Sequence, residues 1–114
     1  MLTPNALEVI YKAFSENSSV KAVYPSLAKV DKDGKRYGKN SIKKNIRIRE
    51  EYLYHFFMCG TCLTSPGMAM KTTDFEEILY PLDIAMCNQQ DTQMHIKILL
   101  NGEIKILDDI LVKY

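Results

Sequence analysis

Asp91 is the residue whose sequence context best suits acid–base chemistry. It follows the polar run 88–90 and precedes apolar residues at helical spacing, so the pattern predicts a carboxylate in the first turn of a helix. Two interpretations stay open. The carboxylate caps the helix or interacts with its dipole, stabilising it by about 0.5–2 kcal/mol, or it lies at a pocket rim as a general base. His95, one turn further on, is predicted to pack half-buried or to orient a substrate hydroxyl.

Two other groups of residues have the spacing of metal ligands. Asp31 and Asp33 are one residue apart, as two carboxylates on one divalent cation can be, but the following Gly34 makes the segment typical of a tight hairpin turn, which we predict. Cys59 and Cys62 have zinc or redox spacing. Because the chain offers them no second ligand pair and no βαβ setting, we interpret them as buried structural thiols.

A basic stretch precedes the second predicted helix. Its cations are Lys39, Lys43, Lys44, Arg47 and Arg49. Acidic Glu50 and Glu51 follow directly and no aromatic residues interleave, so we predict that residues 39–49 form a solvated surface loop rather than an anion site. Fifteen Lys and Arg against fourteen Asp and Glu give a net charge of +1. No strong field therefore attracts nucleic acid, and no glycine-rich turn forms a phosphate cradle.

The length and composition predict one folded domain. The chain has 114 residues, of which 46% are apolar and 25% charged, which is enough to bury a core. No apolar run approaches the roughly 18–20 residues that span a bilayer, and no signal core follows the N-terminus. Three cysteines do not make a disulfide framework. We therefore expect a soluble, cytoplasmic protein.

Hydrophobic periodicity predicts three sizeable helices and one short helix. The first helix begins at Pro4 after a Thr3 cap and buries Leu7, Ile10, Tyr11 and Phe14, and the second buries Tyr52, Leu53, Phe56 and Phe57. The short helix begins at a Thr73–Glu76 capping box and ends at Ile78 or Leu79. The last helix runs from Gln90-Asp91 to Asn101-Gly102 and turns Met94, Ile98 and Leu99 inward. The start of the first helix, the start of the short helix and the end of the last helix rest on a capping residue, a proline or a glycine.

Strand patterns alternate with these helices. Residues 20–24 are predicted to form a strand that Pro25 closes or confines to a sheet edge. Residues 28–30 and 36–38 flank the predicted hairpin turn. Residues 103–107 and 110–114 are predicted to be two extended segments separated by Asp108 and Asp109. The alternation indicates an α/β or α+β protein with a small mixed sheet flanked by helices.

Four segments carry a resemblance to a known family. They are Leu2-Thr3-Pro4-Asn5-Ala6-Leu7-Glu8 with the following helix and strand to Tyr24, the hairpin from Val30 to Lys35, Leu63-Thr64-Ser65-Pro66-Gly67-Met68-Ala69-Met70-Lys71 with Phe75-Glu76, and Gln90-Asp91 with Lys97, Leu99, Gly102 and the closing 106–114. Their order and spacing resemble the second half of a family 2 glycosyltransferase of the GT-A type.

The resemblance implies an incomplete GT-A fold. Residues 1–114 would be a single domain, the acceptor-side half that carries the catalytic base, without the N-terminal nucleotide-binding βαβ half that ends in an Asp-x-Asp metal motif. The chain would then be truncated and inactive alone, with the missing N-terminal half as its partner. The nucleotide-sugar donor and the divalent metal, Mn or Mg, would belong to the complete enzyme, and none of this chain's residues would bind a metal or cofactor.

The resemblance also assigns roles to individual residues. It implies that Asp91 is the general base that takes the proton of an acceptor hydroxyl, and that Gln90, His95 and Ser65 bind the acceptor. Gln90 stands where the family more often has Glu. The acceptor would be a sugar or a lipid-linked sugar in polysaccharide or glycolipid biosynthesis at the cytoplasmic face of a membrane. The Gln-x-x-Arg-Trp pattern of processive synthases is absent, so transfer of single sugars is expected.

A second hypothesis is a stand-alone module without catalytic activity. In that case the helix around residues 52–57 and the basic loop before it would form a surface for a protein or a lipid. A chain without its other half would expose the face that the half covers. We therefore expect a homodimer through this face, or peripheral association with a membrane, and no nucleic-acid partner.

Overall fold

A computed structural model describes residues 1–40, 49–59, 63, 65–79 and 90–113. Within these residues the chain forms four helices and four strands. The helices are α1 (Ala6–Glu16), α2 (Arg49–Cys59), α3 (Thr72–Leu79) and α4 (Gln90–Asn101), and the strands are β1 (Val20–Val30), β2 (Arg36–Asn40), β3 (Ala69–Met70) and β4 (Glu103–Lys113). The prediction of a mixed sheet with flanking helices is confirmed. Residues 41–48 of the predicted basic loop lie outside the described residues, and the predicted loop ends were wrong because residues 39 and 40 belong to β2 and residue 49 to α2.

The sheet is built around β1. On one side β1 pairs antiparallel with β2 and β3, and on the other it pairs parallel with β4. The N-terminal segment covers part of the outer edge of β4, because Leu2 forms an antiparallel bridge with Val112 and the N–H of Lys113 donates to the carbonyl of Met1 at 2.8 Å. The central position of β1 makes it the element on which the helices pack.

The prediction that Pro25 closes the first strand or confines it to a sheet edge was wrong, and so was the predicted break at Asp108 and Asp109. β1 continues through Pro25, and β4 is one strand that passes through Asp108 and Asp109. The pairing of the two strands jumps in register between Tyr24 and Ser26, so the proline and the two aspartates lie where the ladder is irregular. Proline is tolerated at such a bulge because it has no N–H to offer the ladder, and both aspartates stay exposed.

The hairpin between β1 and β2 forms as predicted. Asp31 Oδ1 accepts hydrogen bonds from the N–H groups of Asp33, at 3.0 Å, and Lys35, at 2.8 Å. Gly34 has a φ of +78°, the left-handed conformation that favours glycine. The carboxylate of Asp31 thus serves the turn, and the turn interpretation of the Asp31–Asp33 pair is confirmed.

The orientation of α1 differs from the prediction. Leu7 and Tyr11 are 74% and 76% exposed, whereas Ala6 and Ala13 are buried against the sheet. Small side chains let the helix approach β1 and β4 closely, and the half-buried Val9, Ile10 and Phe14 complete the contact. The predicted cap is also wrong, because the hydroxyl of Thr3 donates to Asn5 Oδ1 at 3.1 Å and the helix begins two residues after Pro4.

The other helices begin and end close to the predicted residues. Tyr52 and Phe56 of α2 are buried as expected, but Phe57 is 73% exposed. α3 begins at Thr72, so Thr73 lies inside its first turn and not at the N-cap. The predicted capping box that starts at Thr73 is therefore wrong. α3 is held to β1 by an ion pair of 2.5 Å between Lys21 Nζ and Asp74 Oδ1. α4 has the predicted bounds and buries Ile98 and Leu99.

Apolar clusters lie on both faces of β1. Ala22 and Tyr24 face α2 and α4, where they join Tyr52, Ile98 and Leu99. On the opposite face Val20 and Val23 pack with residues of α1 and β4. Tyr24 is fully buried and lies beneath α4, the helix that carries Asp91 and His95.

Candidate functional site

Ser65 is positioned by a tight turn before β3. The N–H of Met68 donates to the carbonyl of Ser65 at 3.1 Å, with Pro66 second in the turn and Gly67 third at a φ of +82°. Proline and left-handed glycine in these positions are typical of a type II turn. A Cβ added to Gly67 would lie 2.3 Å from Val112 Cγ2, so the turn packs directly against β4.

Asp91 is the second residue of α4, and its side chain is exposed. It lies inside the helix rather than at the N-cap, so the capping interpretation does not describe it, although the N-terminal turn is favourable for a negative charge. The hydroxyl of Ser65 donates to Asp91 Oδ2 at 2.9 Å. Asp91 Oδ1 accepts no hydrogen bond from the part of the chain that the structure describes.

His95 is buried, with 1% of its surface exposed, and not half-buried as predicted. Its Nε2 lies 3.3 Å from Ser65 Oγ, and its Nδ1 lies 2.9 Å from the hydroxyl of Tyr24. One helical turn separates His95 from Asp91, so both reach the same turn at Ser65. The structure thus brings together three of the four predicted site residues. Gln90 is exposed at the start of α4 and takes no part in these contacts.

Tyr24 is a member of this network that the sequence analysis did not identify. The sequence predicts only that Tyr24 lies in a strand, residues 20–24. The available signal is the phenol itself, since a buried tyrosine usually requires a partner for its hydroxyl. That signal does not name the partner, because residue 24 meets residue 95 only after β1 and α4 have packed together.

The direction of each hydrogen bond follows from counting protons. An ionised carboxylate can only accept, so the single hydroxyl proton of Ser65 points to Asp91. The Nε2 of a neutral His95 must then carry the proton that points to Ser65 Oγ. This leaves Nδ1 as an acceptor, and the hydroxyl of Tyr24 donates to it. The chain of donors therefore runs from Tyr24 through His95 and Ser65 to Asp91.

This direction argues against a nucleophilic Ser65. A serine nucleophile requires a base that accepts its proton, usually a histidine nitrogen. Here the proton of Ser65 is directed to Asp91 and His95 donates to Ser65. The arrangement instead presents a carboxylate that already accepts a hydrogen bond from a hydroxyl.

His95 is expected to make the stability of the protein sensitive to acid. Burial lowers the pKa of His95 below its ordinary value of 6.5, and the nearby carboxylate of Asp91 opposes this by raising it. As the pH falls through about 6.5, the unfolded chain binds a proton that the folded chain does not yet bind, so the free energy of unfolding decreases. Unfolding midpoints in urea between about pH 7.5 and 5.5 measure this loss.

Two histidine variants test the origin of that loss. In His95→Gln the midpoint is expected to fall less steeply over the same pH range, because the group that binds the additional proton is gone. His55→Gln, at the histidine outside the network, is the matched control for the substitution itself. The same slope in His95→Gln and wild type would contradict the assignment.

The remaining candidate residues contribute little that the structure describes. Cys62 lies outside the described residues, and Cys59 is placed only as the last residue of α2. In the described ranges, no three His, Cys, Asp or Glu side chains are grouped to hold a metal ion. No helix among those same ranges is long and apolar enough to cross a membrane.

Comparison with known proteins does not extend this description. No protein-family model matches the chain, and no curated protein matches it significantly. The geometry of Tyr24, Ser65, Asp91 and His95 is therefore the basis for assigning a function.

Proposed function

We propose that this chain is the acceptor-side part of an inverting glycosyltransferase of the GT-A type, with Asp91 as the general base. The observation that carries the proposal is the hydrogen bond of 2.9 Å from the hydroxyl of Ser65 to Asp91 Oδ2. The bond supports the proposal because it holds the carboxylate in place at hydrogen-bond distance from a hydroxyl oxygen, and a general base must approach the acceptor hydroxyl to the same range, about 2.6–3.2 Å. The carboxylate is exposed, so a sugar hydroxyl from solution can reach it.

The proposed step is a single displacement. The acceptor oxygen forms a bond to the anomeric carbon of the donor sugar, and the bond from that carbon to the nucleoside diphosphate breaks. The electron pair leaves with the diphosphate, and the hydroxyl proton passes to Asp91. The carboxylate contributes by removing the hydroxyl proton as the acceptor oxygen attacks the anomeric carbon.

Asp91 is held for this task by rigid elements. The first turn of α4 carries it, and the turn of residues 65–68 contacts it through Ser65. In this proposal Ser65 and the exposed Gln90 bind the acceptor, and the buried His95 contributes through its hydrogen bond to Ser65.

The test is sugar transfer by the full-length natural protein that contains this chain. The donors are radiolabelled UDP-glucose, UDP-galactose, UDP-N-acetylglucosamine and GDP-mannose with Mn²⁺, and the acceptors are octyl glycosides. Transfer that requires the carboxylate of Asp91 supports the proposal. Transfer that continues in Asp91→Asn, or no transfer with any pair of donor and acceptor, overturns it.

A second candidate function is a non-catalytic interaction module. It is favoured by the outer face of α2, where Tyr54, Phe57 and Met58 are between 66% and 73% exposed. These side chains lie three and four residues apart and so share one face of the helix. A second copy of the chain, packed with the same face, is the simplest occupant.

Solution scattering over a range of concentrations tests this candidate. The module hypothesis expects a dimer, and Phe57→Ser is expected to shift it to a monomer without loss of the fold, because Phe57 is 73% exposed. The matched control is Tyr37→Ser, which removes an equally exposed aromatic side chain from β2. A monomer at every concentration would contradict the hypothesis and leave the glycosyltransferase proposal in place.

A further inference from the structure

We infer that Tyr24 is a positioning residue for the general base, and that it acts through the ring of His95 and the hydroxyl of Ser65. Tyr24 is fully buried on β1, and its hydroxyl lies 2.9 Å from His95 Nδ1. Asp91 itself is exposed, so the network runs from the core of the protein to the carboxylate at its surface. This inference rests on the proposed function, in which Asp91 is the base.

Tyr24 acts on Asp91 by favouring one tautomer of the His95 ring. When Nδ1 accepts from Tyr24, the ring proton is on Nε2, where it points to Ser65 Oγ. Ser65 Oγ then accepts from His95 and has only its own proton to donate, which it directs to Asp91 Oδ2. With the other tautomer, Nε2 would compete with Asp91 for that proton.

As a consequence, the two carboxylate oxygens of Asp91 have different surroundings. Oδ2 is occupied by Ser65, and Oδ1 is the oxygen left for an acceptor hydroxyl. A carboxylate with one oxygen held cannot rotate freely, so its second oxygen keeps a defined direction. Preorganisation of this kind requires that the supporting groups be locked by packing, and both Tyr24 and His95 meet that condition because they are buried.

The test reads the tautomer of His95 directly in this chain. Long-range proton–nitrogen correlation NMR on nitrogen-15-labelled protein distinguishes a protonated ring nitrogen from an unprotonated one. At about pH 7.5, where a histidine with a depressed pKa is neutral, we expect Nε2 to carry the proton. In Tyr24→Phe, loss of one hydrogen bond is expected to shift the tautomer ratio about fivefold toward Nδ1–H.

Tyr37→Phe, which removes the hydroxyl of an exposed tyrosine on β2, is the matched control and is expected to leave the ratio unchanged. A wild-type His95 with its proton on Nδ1 would overturn the inference, even if Tyr24→Phe fails to fold. An unchanged ratio in folded Tyr24→Phe would also overturn it. Because NMR requires no substrate, these outcomes are independent of whether Asp91 acts as the base, which the transfer assay tests separately.

Discussion

In the proposed glycosyltransferase reaction, Asp91→Asn is expected to lower the rate of transfer about 10²–10⁴-fold, which is the usual contribution of a general base. The amide has nearly the same shape as the carboxylate and can still accept a hydrogen bond from Ser65 through its oxygen. It cannot take a proton from an acceptor hydroxyl at neutral pH. The loss should therefore appear in kcat, while the binding of the nucleotide sugar stays the same. Initial rates with varied acceptor, and calorimetric titration of the donor, measure the two quantities.

The matched control is Asp33→Asn. It makes the same chemical change at an exposed carboxylate in the β1–β2 turn, away from the network, since that turn uses the carboxylate of Asp31. Asp33→Asn is expected to retain wild-type transfer. Asp33→Asn should melt close to wild type, because surface substitutions usually change the free energy of unfolding by less than about 0.5 kcal/mol, whereas Asp91→Asn also loses a charge in the first turn of α4, which costs about 0.3–1 kcal/mol. An equal loss of transfer in the two variants would remove Asp91 from the catalytic role.

Gly67→Ala is expected to decrease the free energy of unfolding by about 2–4 kcal/mol, the sum of backbone strain and overpacking. The φ of +82° is one that a residue with a Cβ adopts only at a cost. The new methyl group would also meet Val112 Cγ2 at 2.3 Å and Pro25 Cγ at 3.2 Å. These atoms belong to the packed strands β1 and β4, so the turn itself must move. Urea unfolding followed by circular dichroism gives the change.

Gly34→Ala separates the cost of backbone strain from the cost of overpacking. Gly34 has nearly the same φ, +78°, but a Cβ there would have no atom within 4 Å. It should therefore cost only the strain, about 1 kcal/mol. If the two variants lose equal stability, the contact between the turn and Val112 is not the cause. The larger loss at Gly67 should be accompanied by displacement of Ser65 and hence by weaker transfer.

Local pattern was sufficient for much of the fold. α4 has the predicted bounds because apolar spacing and the Asn101-Gly102 stop agree, and the β1–β2 turn forms because Asp31 and Gly34 satisfy its backbone locally. These features depend on residues within a few positions of each other. The same is true of Asp91, whose place in the first turn of α4 follows from the polar run before it.

Other features depended on contacts between distant segments. Pro25 is tolerated in the middle of β1 because the pairing with β4 is irregular there, and the face of α1 that is buried was chosen by the close approach of Ala6 and Ala13 to the sheet. Periodicity identifies an apolar stripe, but the neighbouring element decides which part of the stripe is covered.

In the candidate site, too, some features follow from the local sequence and others from contacts between distant segments. The residue types of Asp91, His95 and Ser65 were recognisable in the sequence, and the family resemblance suggested that they act together. Their geometry and the participation of Tyr24 were decided only by the tertiary structure, since 71 positions separate Tyr24 from His95 and 26 separate Ser65 from Asp91. Hydrogen bonds between such distant residues form only after the packing of α4 and the Ser65 turn against β1 has brought them within reach.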